Sequence, residues 1–245
     1  MSNVTSFIDK ISKVREQEVV SVTIPSTQNV ERFMPLNVKQ QKSLLKHTID
    51  GPAGAVGALN ELHNIIIENC INKSAVFSSV DKYPILIALR TQCLGDGITI
   101  ANKKYSLNSL PHEVGFSSAD FTGNILYNTI NVTLETPSLN KDSDFLVKTI
   151  SDIAKVEDHK LTETITTMYI YEIAKFIKTI EFDDSVIDFV SLTNADKKTI
   201  VNNLPMKLNQ QILAFISSVR DKENKFITFD DGVILPINTL FFSTD

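Results

Sequence analysis

The side chains that could do chemistry are few and scattered. Histidine occurs at His47, His63, His112 and His159, and no two have the one-turn spacing that sets paired imidazoles on one helix face around a metal. Cys70 and Cys93 are the only cysteines. Both fall on apolar stretches that read as helices, with His63 on the same side as Cys70. Thiolate and imidazole suit zinc, so Cys70, Cys93 and His63 define one alternative, a small metal-dependent module. The default reading is burial of both thiols as small apolar side chains. The carboxylate pairs Asp183-Asp184 and Asp230-Asp231 would point to opposite faces of a strand or into solvent from a turn. They do not read as an acid/base couple, in which burial raises one pKa. No Gly-x-Ser-x-Gly elbow, phosphate loop or dinucleotide fingerprint occurs. The expectation is therefore no catalytic residue, no bound metal, no cofactor and no enzymatic activity. Lys103-Lys104-Tyr105 mixes charge with an aromatic ring, as single-strand binders do, but nothing basic lies near it and it reads as a strand edge. Arg90 stands out because it interrupts an apolar helix, Ile85-Leu86-Ile87-Ala88-Leu89. A guanidinium there serves as an internal anchor for carboxylates or carbonyls, or as an interface anchor.

Composition narrows the setting. The chain has 245 residues with 24 basic and 29 acidic side chains, net −5. Residues 1–120 carry 12 basic and 11 acidic groups, net +1, and residues 121–245 carry 12 and 18, net −6. Only four of the basic residues are arginines: Arg15, Arg32, Arg90 and Arg220. An acidic, arginine-poor chain is poorly suited to phosphate backbones, so nucleic acid is not an expected partner. No apolar run approaches the eighteen or so residues of a membrane span. The N-terminus does not read as a signal peptide, and two cysteines do not make a disulfide framework, so a reducing cytoplasm is the expected folding compartment.

The elements that must position these residues read as α+β: mostly helical, with an N-terminal β-hairpin, a strand-rich middle segment and a helical C-terminal half. Phe7, Ile8, Ile11 and Val14 recur at helical spacing in a first helix over 4–16. It reads either as an arm that folds against a partner or as a helix packed on its own domain. Val20, Val22 and Ile24 alternate ahead of the Pro25–Asn29 turn, and Val30–Leu36 returns as the second strand. Asn37 is placed to cap a helix over 38–49, which the Asp50-Gly51-Pro52 triplet stops. Helices follow over 55–71 and 80–94, the latter capped by Asp81 and ended by Gly95. Residues 98–137 read as strands around a polar loop, Asn108–Asn124. Helices are expected over 143–155, 167–180, 196–204 and 206–219. A terminal hairpin turns at Asp230-Asp231-Gly232, and Leu240-Phe241-Phe242 docks internally or on a partner. Segmented by composition, the chain divides into an arm (1–18), a hairpin, helix and strand region (19–137) and a mainly helical region (138–245).

One combination is more specific. Ile24-Pro25-Ser26-Thr27 is followed by Arg32-Phe33-Met34-Pro35-Leu36-Asn37-Val38-Lys39-Gln40-Gln41, running into Leu44-Leu45. About forty residues on comes Leu86-Ile87-Ala88-Leu89-Arg90-Thr91-Gln92-Cys93-Leu94-Gly95. Over residues 19–100 this resembles the baseplate hub family of T-even-type contractile phages. Leu240-Phe241-Phe242-Ser243 also resembles that family's aromatic terminus. The chain departs from the pattern at Cys93, where a smaller residue is expected, and at Thr91-Gln92, in place of a more basic or small pair. The resemblance implies a non-enzymatic structural or assembly protein that docks on other phage tail or baseplate hub proteins. It implies assembly in the host cytoplasm and a place in the tail baseplate, as an oligomer within the assembly. Some members look like hub parts and others like assembly chaperones absent from the mature particle. Its motifs are structural, and the candidate partner-binding residues are Phe7, Ile11, Phe33, Pro35, Arg90, Phe241 and Phe242.

Overall fold

The computed structural model describes residues 3–47, 51–153, 161–238 and 240–243. His159, residues 48–50 at the end of the helix predicted from Val38, and residues 154–155 lie outside the described residues. The fold is α+β. The chain forms two compact units: Met1–Phe77 with Asp81–Glu113 and Phe226–Asp245, and Ser78–Val80 with Val114–Lys225.

In the first unit, α1 (Asn3–Gln17) leads into an antiparallel hairpin of β1 (Val20–Thr23) and β2 (Val30–Phe33). The turn between them closes where the Ile24 amide donates to the Asn29 carbonyl at 2.8 Å, and Gln28 takes the left-handed conformation, φ 59°. α2 (Val38–Lys46) opens on a capping box. The Asn37 side chain accepts from the Gln40 amide at 2.9 Å, and the Gln40 side chain accepts from the Asn37 amide at 3.2 Å. α3 (Gly51–Asn69) starts at the predicted stop. Pro52 falls in its first turn, where a missing N–H costs nothing. α4 (Lys82–Leu94) ends at Gly95 with φ 83°, a conformation that favours glycine. β3 (Gly97–Ile100) and β4 (Lys103–Ser106) form a second hairpin. The C-terminal segment folds back on itself, with the Leu235 amide donating to the Ile227 carbonyl at 2.7 Å. The core comprises Phe33, Leu44, Leu62, Ile65, Ile66, Ile85, Leu86, Leu89, Phe226 and Phe241, all buried.

The second unit is a four-stranded antiparallel sheet with helices. Its strands are β5 (Thr122–Tyr127), β6 (Ile130–Glu135), β7 (Ile177–Phe182) and β8 (Ser185–Asp188), in that order. The helices are α5 (Leu139–Ile153), α6 (Leu161–Ala174), α7 (Asn194–Asn203) and α8 (Met206–Lys225). Ile125, Val132, Ile180 and Ile187 line up across all four strands. Val132 and Ile180 pack with Phe145, Ile170, Ile173, Phe189, Ile212 and Ile216 in the core. Within the predicted loop, Phe116 and Phe121 stack at 5.4 Å, and Asp120 forms an ion pair with Lys222 at 2.6 Å.

The helix predicted over 167–180 ends early. α6 stops at Ala174, and Ile177–Phe182 is a strand paired with β6. Ile170, Ile173, Ala174 and Ile177 fit a helix, but Ile177, Thr179 and Ile180 are β-branched and suit a pleated surface equally. The edge of β6 supplies hydrogen-bond partners that a longer helix would leave unpaired, so tertiary pairing decides. Asp183-Asp184 forms the β7–β8 turn, with Asp183 at φ 49°.

Candidate functional site

The pieces of the sequence motif converge on α4. Asp81, fully buried, stands at its N-cap position but makes no side-chain cap bond there. Its carboxylate instead accepts from the Ser26 amide at 2.8 Å and the Ser26 hydroxyl at 2.6 Å. This corrects the expectation that Asp81 caps the helix. A buried carboxylate goes where more donors converge, and the Pro25–Asn29 turn offers two from one residue. Near the other end of α4, the Cys93 sulfur accepts from the Leu36 amide at 3.3 Å. Between them Arg90 is 4% exposed. Its Nε donates to the Phe241 carbonyl at 2.8 Å, and one terminal nitrogen donates to the Gly95 and Gly97 carbonyls at 3.1 and 3.2 Å. The guanidinium also lies 5.7 Å from the Phe241 ring centroid. Arg90 thus acts as an internal anchor that fixes the aromatic C-terminus and the turn after α4 to one helix.

The residues of the metal-dependent alternative do not form a cluster among the described residues. Burial pushes the thiols of both Cys70 and Cys93 up, which favours the neutral form over the ligating thiolate. The Cys70 thiol donates to the Asn72 carbonyl at 3.4 Å. Among the described residues no group of three His, Cys, Asp or Glu side chains could hold a metal ion, and Cys70, Cys93 and His63 are not brought together as one.

The seven candidate partner-binding residues fall into two sets. Phe33, Pro35, Arg90, Phe241 and Phe242 are buried within the first unit. Phe33 packs 5.6 Å from Phe77, the Pro35 carbonyl accepts from Arg15 at 2.6 Å, and the Phe242 carbonyl accepts from Gln41 at 2.7 Å. The aromatic tail therefore docks internally. Phe7 and Ile11 are at the surface, 64% and 48% exposed, beside Ile8 and Val14, each 56% exposed. One face of α1 is thus an exposed apolar stripe about two turns long. Lys10 and Lys13 stand on the same helix, also exposed.

Other functional contacts escaped the sequence reading. Buried Gln40 donates to the Asn69 side chain at 2.9 Å and to Glu68 at 3.1 Å, tying α2 to α3. Its place three residues after Asn37 is the capping-box signal that could have revealed half of its role. Nothing local signals the Ser26–Asp81 link, because its partners are 55 residues apart.

A family described as T4 bacteriophage base plate protein matches residues 17–223, a span that includes every piece of the α4 assembly except the aromatic tail. No curated protein matches. No solved structure matches.

Proposed function

The chain belongs to the T4 bacteriophage base plate protein family, and from that membership we propose that it is a non-enzymatic structural or assembly protein of the baseplate hub, acting through protein–protein docking. The observation that carries this reading is the α1 stripe. Phe7, Ile8, Ile11 and Val14 stand uncovered on a 15-residue helix. A helix of that length is marginal in water without a surface to cover its apolar side, so α1 is built to be completed by another protein. An amphipathic helix laid in a partner's groove, read through residues at i, i+3, i+4 and i+7, is the mode such a stripe serves. The buried anchors Arg90, Phe33, Pro35, Phe241 and Phe242 pack inside the first unit while the α1 stripe stays exposed. The excess of acidic residues in 121–245 gives a basic neighbour a surface to approach.

Co-expression with the other tail proteins, followed by sizing, tests the reading. A stable complex that is lost in the Phe7→Glu/Ile11→Glu double variant is expected. Free monomer in the presence of every tail protein overturns it. Mass spectrometry of purified particles then separates the two forms of the proposal. Stoichiometric presence marks a component, and absence from particles that need the protein to assemble marks an assembly chaperone.

A further inference from the structure

The first unit holds a groove of about 360 Å³ bounded by β1, by α4 and by residues 107–113. All four residues of β1, Val20 to Thr23, line it. Alternate side chains of a strand point to opposite faces, so four consecutive residues can line one groove only when the strand presents its edge. The groove therefore meets backbone as well as side chains.

The pairing register identifies which backbone groups face it. In an antiparallel pair, residues alternate between those that exchange hydrogen bonds with the partner strand and those whose N–H and C=O point away. The Ile24 amide donates to the Asn29 carbonyl across the hairpin. Counting back in register, Val22–Glu31 and Val20–Phe33 are the bonded pairs. Ser21 and Thr23 must then direct their N–H and C=O outward. The far edge of β2 gives the same answer. The Arg32 carbonyl, opposite Ser21, accepts from the Ile71 amide at 2.9 Å, so it points away from β1. The two edges differ in one respect. The β2 edge is covered by residues 69–71, with Met34 donating to the Asn69 carbonyl at 2.8 Å. Among the described residues, β1 pairs with β2 alone.

We propose that this groove is a docking site for a single extended segment of a partner protein, which adds as a strand to β1 through the amides and carbonyls of Ser21 and Thr23. A helix cannot occupy it productively, because its own backbone is bonded internally and would leave those groups unpaired. The chemistry of the guest follows from the lining. Pro84, Ile87, Ala88 and Leu110 offer apolar surface, Thr91 and Gln92 offer neutral polar groups, and among the described residues only His112 and Glu113 bring ionisable side chains to the lining. The guest is thus uncharged and rich in small or β-branched side chains, with about four residues in register at about 3.3 Å each. A second copy of the chain would have to bring its own hairpin and the segment beside it into the same groove, so an isolated strand is the better occupant. The site is separate from the α1 stripe and stands whether or not the hub reading holds.

The test is selection of a random linear dodecapeptide library on the full-length protein, with affinities of the enriched peptides measured by fluorescence anisotropy. The key variant is Ser21→Pro. It removes an outward-facing N–H and no β1–β2 bond, and proline is accepted on strand edges for that reason. Ser21→Ala keeps the amide and serves as the control. Enriched peptides should be uncharged and β-branched. They should bind Ser21→Pro at least tenfold more weakly and Ser21→Ala within twofold of the parent. N-methylation of alternate peptide amides should also cost at least tenfold, because it strips donors from one strand edge. If Ser21→Pro fails to fold by circular dichroism, Ala88→Glu on the α4 wall takes its place with the same expected loss. The proposal is overturned if no peptide is enriched, if enriched peptides bind the blocked variants as well as the parent, or if N-methylation has no effect. It is equally overturned if the parent protein dimerises and Ser21→Pro makes it monomeric, since the occupant is then a second copy.

Discussion

Replacing Arg90 with methionine keeps the length of the side chain and removes its three described hydrogen bonds. The Phe241 carbonyl loses a donor at 2.8 Å, and the Gly95 and Gly97 carbonyls lose donors at 3.1 and 3.2 Å. Hydrogen bonds to a charged group are worth about 1.5–3 kcal/mol each. Much of that gross sum is offset by the cost of burying a guanidinium, which methionine does not incur. What remains is three carbonyls left short of partners at roughly 1 kcal/mol each, a net loss of about 3 kcal/mol. The loss should concentrate at the C-terminus, because Arg90 holds the Phe241 backbone directly. With no tryptophan in the chain, urea unfolding is best followed by far-ultraviolet circular dichroism. Hydrogen exchange of the peptide covering 236–243 reports the tail locally. Phe241→Ala alone should cost about 3–4 kcal/mol as a buried aromatic truncation. The double variant should lose at least ~1 kcal/mol less than the sum, because both changes free the same tail. If Arg90→Met costs under about 0.5 kcal/mol, the level of an ordinary surface change, and tail exchange is unaltered, the anchor assignment is wrong.

Four further outcomes are expected. Asp81→Asn keeps the shape but replaces a buried charged acceptor of two Ser26 donors, and should cost about 2–3 kcal/mol by denaturant unfolding; equality with the parent would show that the link carries no stability. Gly123→Ala should destabilise by about 1–3 kcal/mol, since its Cβ would sit 3.0 Å from two Phe215 ring carbons, and a calorimetric melt checks this. Cys70 and Cys93 should alkylate with iodoacetamide far more slowly in the folded than in the unfolded chain through pH 8, because burial disfavours their thiolates. Their folded pKa values lie above the unfolded one, so the stability they contribute is complete below the ordinary thiol pKa of about 8.5 and is lost as pH rises through the folded value. The Phe7→Glu/Ile11→Glu variant should unfold within ~0.5 kcal/mol of the parent, since both side chains are exposed, so any loss of complex formation reflects binding and not folding.

Local chemistry was legible wherever it was local. The Asn37 cap, the glycine stop at Gly95 and the Asp230-Asp231-Gly232 reversal each depend on neighbours within about four residues, and each stands in the structure at its predicted place. The internal docking of Phe241 and Phe242 was half legible: their size demanded burial, but only the fold supplied Arg90 and Gln41 as the groups that hold their carbonyls. Asp81 shows the limit more sharply. Its position before α4 is what a cap requires, yet its carboxylate went to Ser26 because a distant turn brought two donors to a buried charge.

The amino-acid pattern by itself determined most of the element types, the α+β class, several turns and the apolar stripe of α1, since propensity, periodicity and capping act over a few residues. It also carried the motif on which the resemblance to a phage baseplate family rests. Tertiary structure alone decided that Ile177–Phe182 is a strand, because the unpaired edge of β6 outweighed a helical spacing that fits equally well. It alone joined Phe226–Asp245 to Met1–Phe77 and Asp81–Glu113 in one compact unit. And it alone divided the candidate contact residues into buried anchors and exposed ones, because exposure depends on what the rest of the chain packs over a side chain, and no short-range rule encodes that.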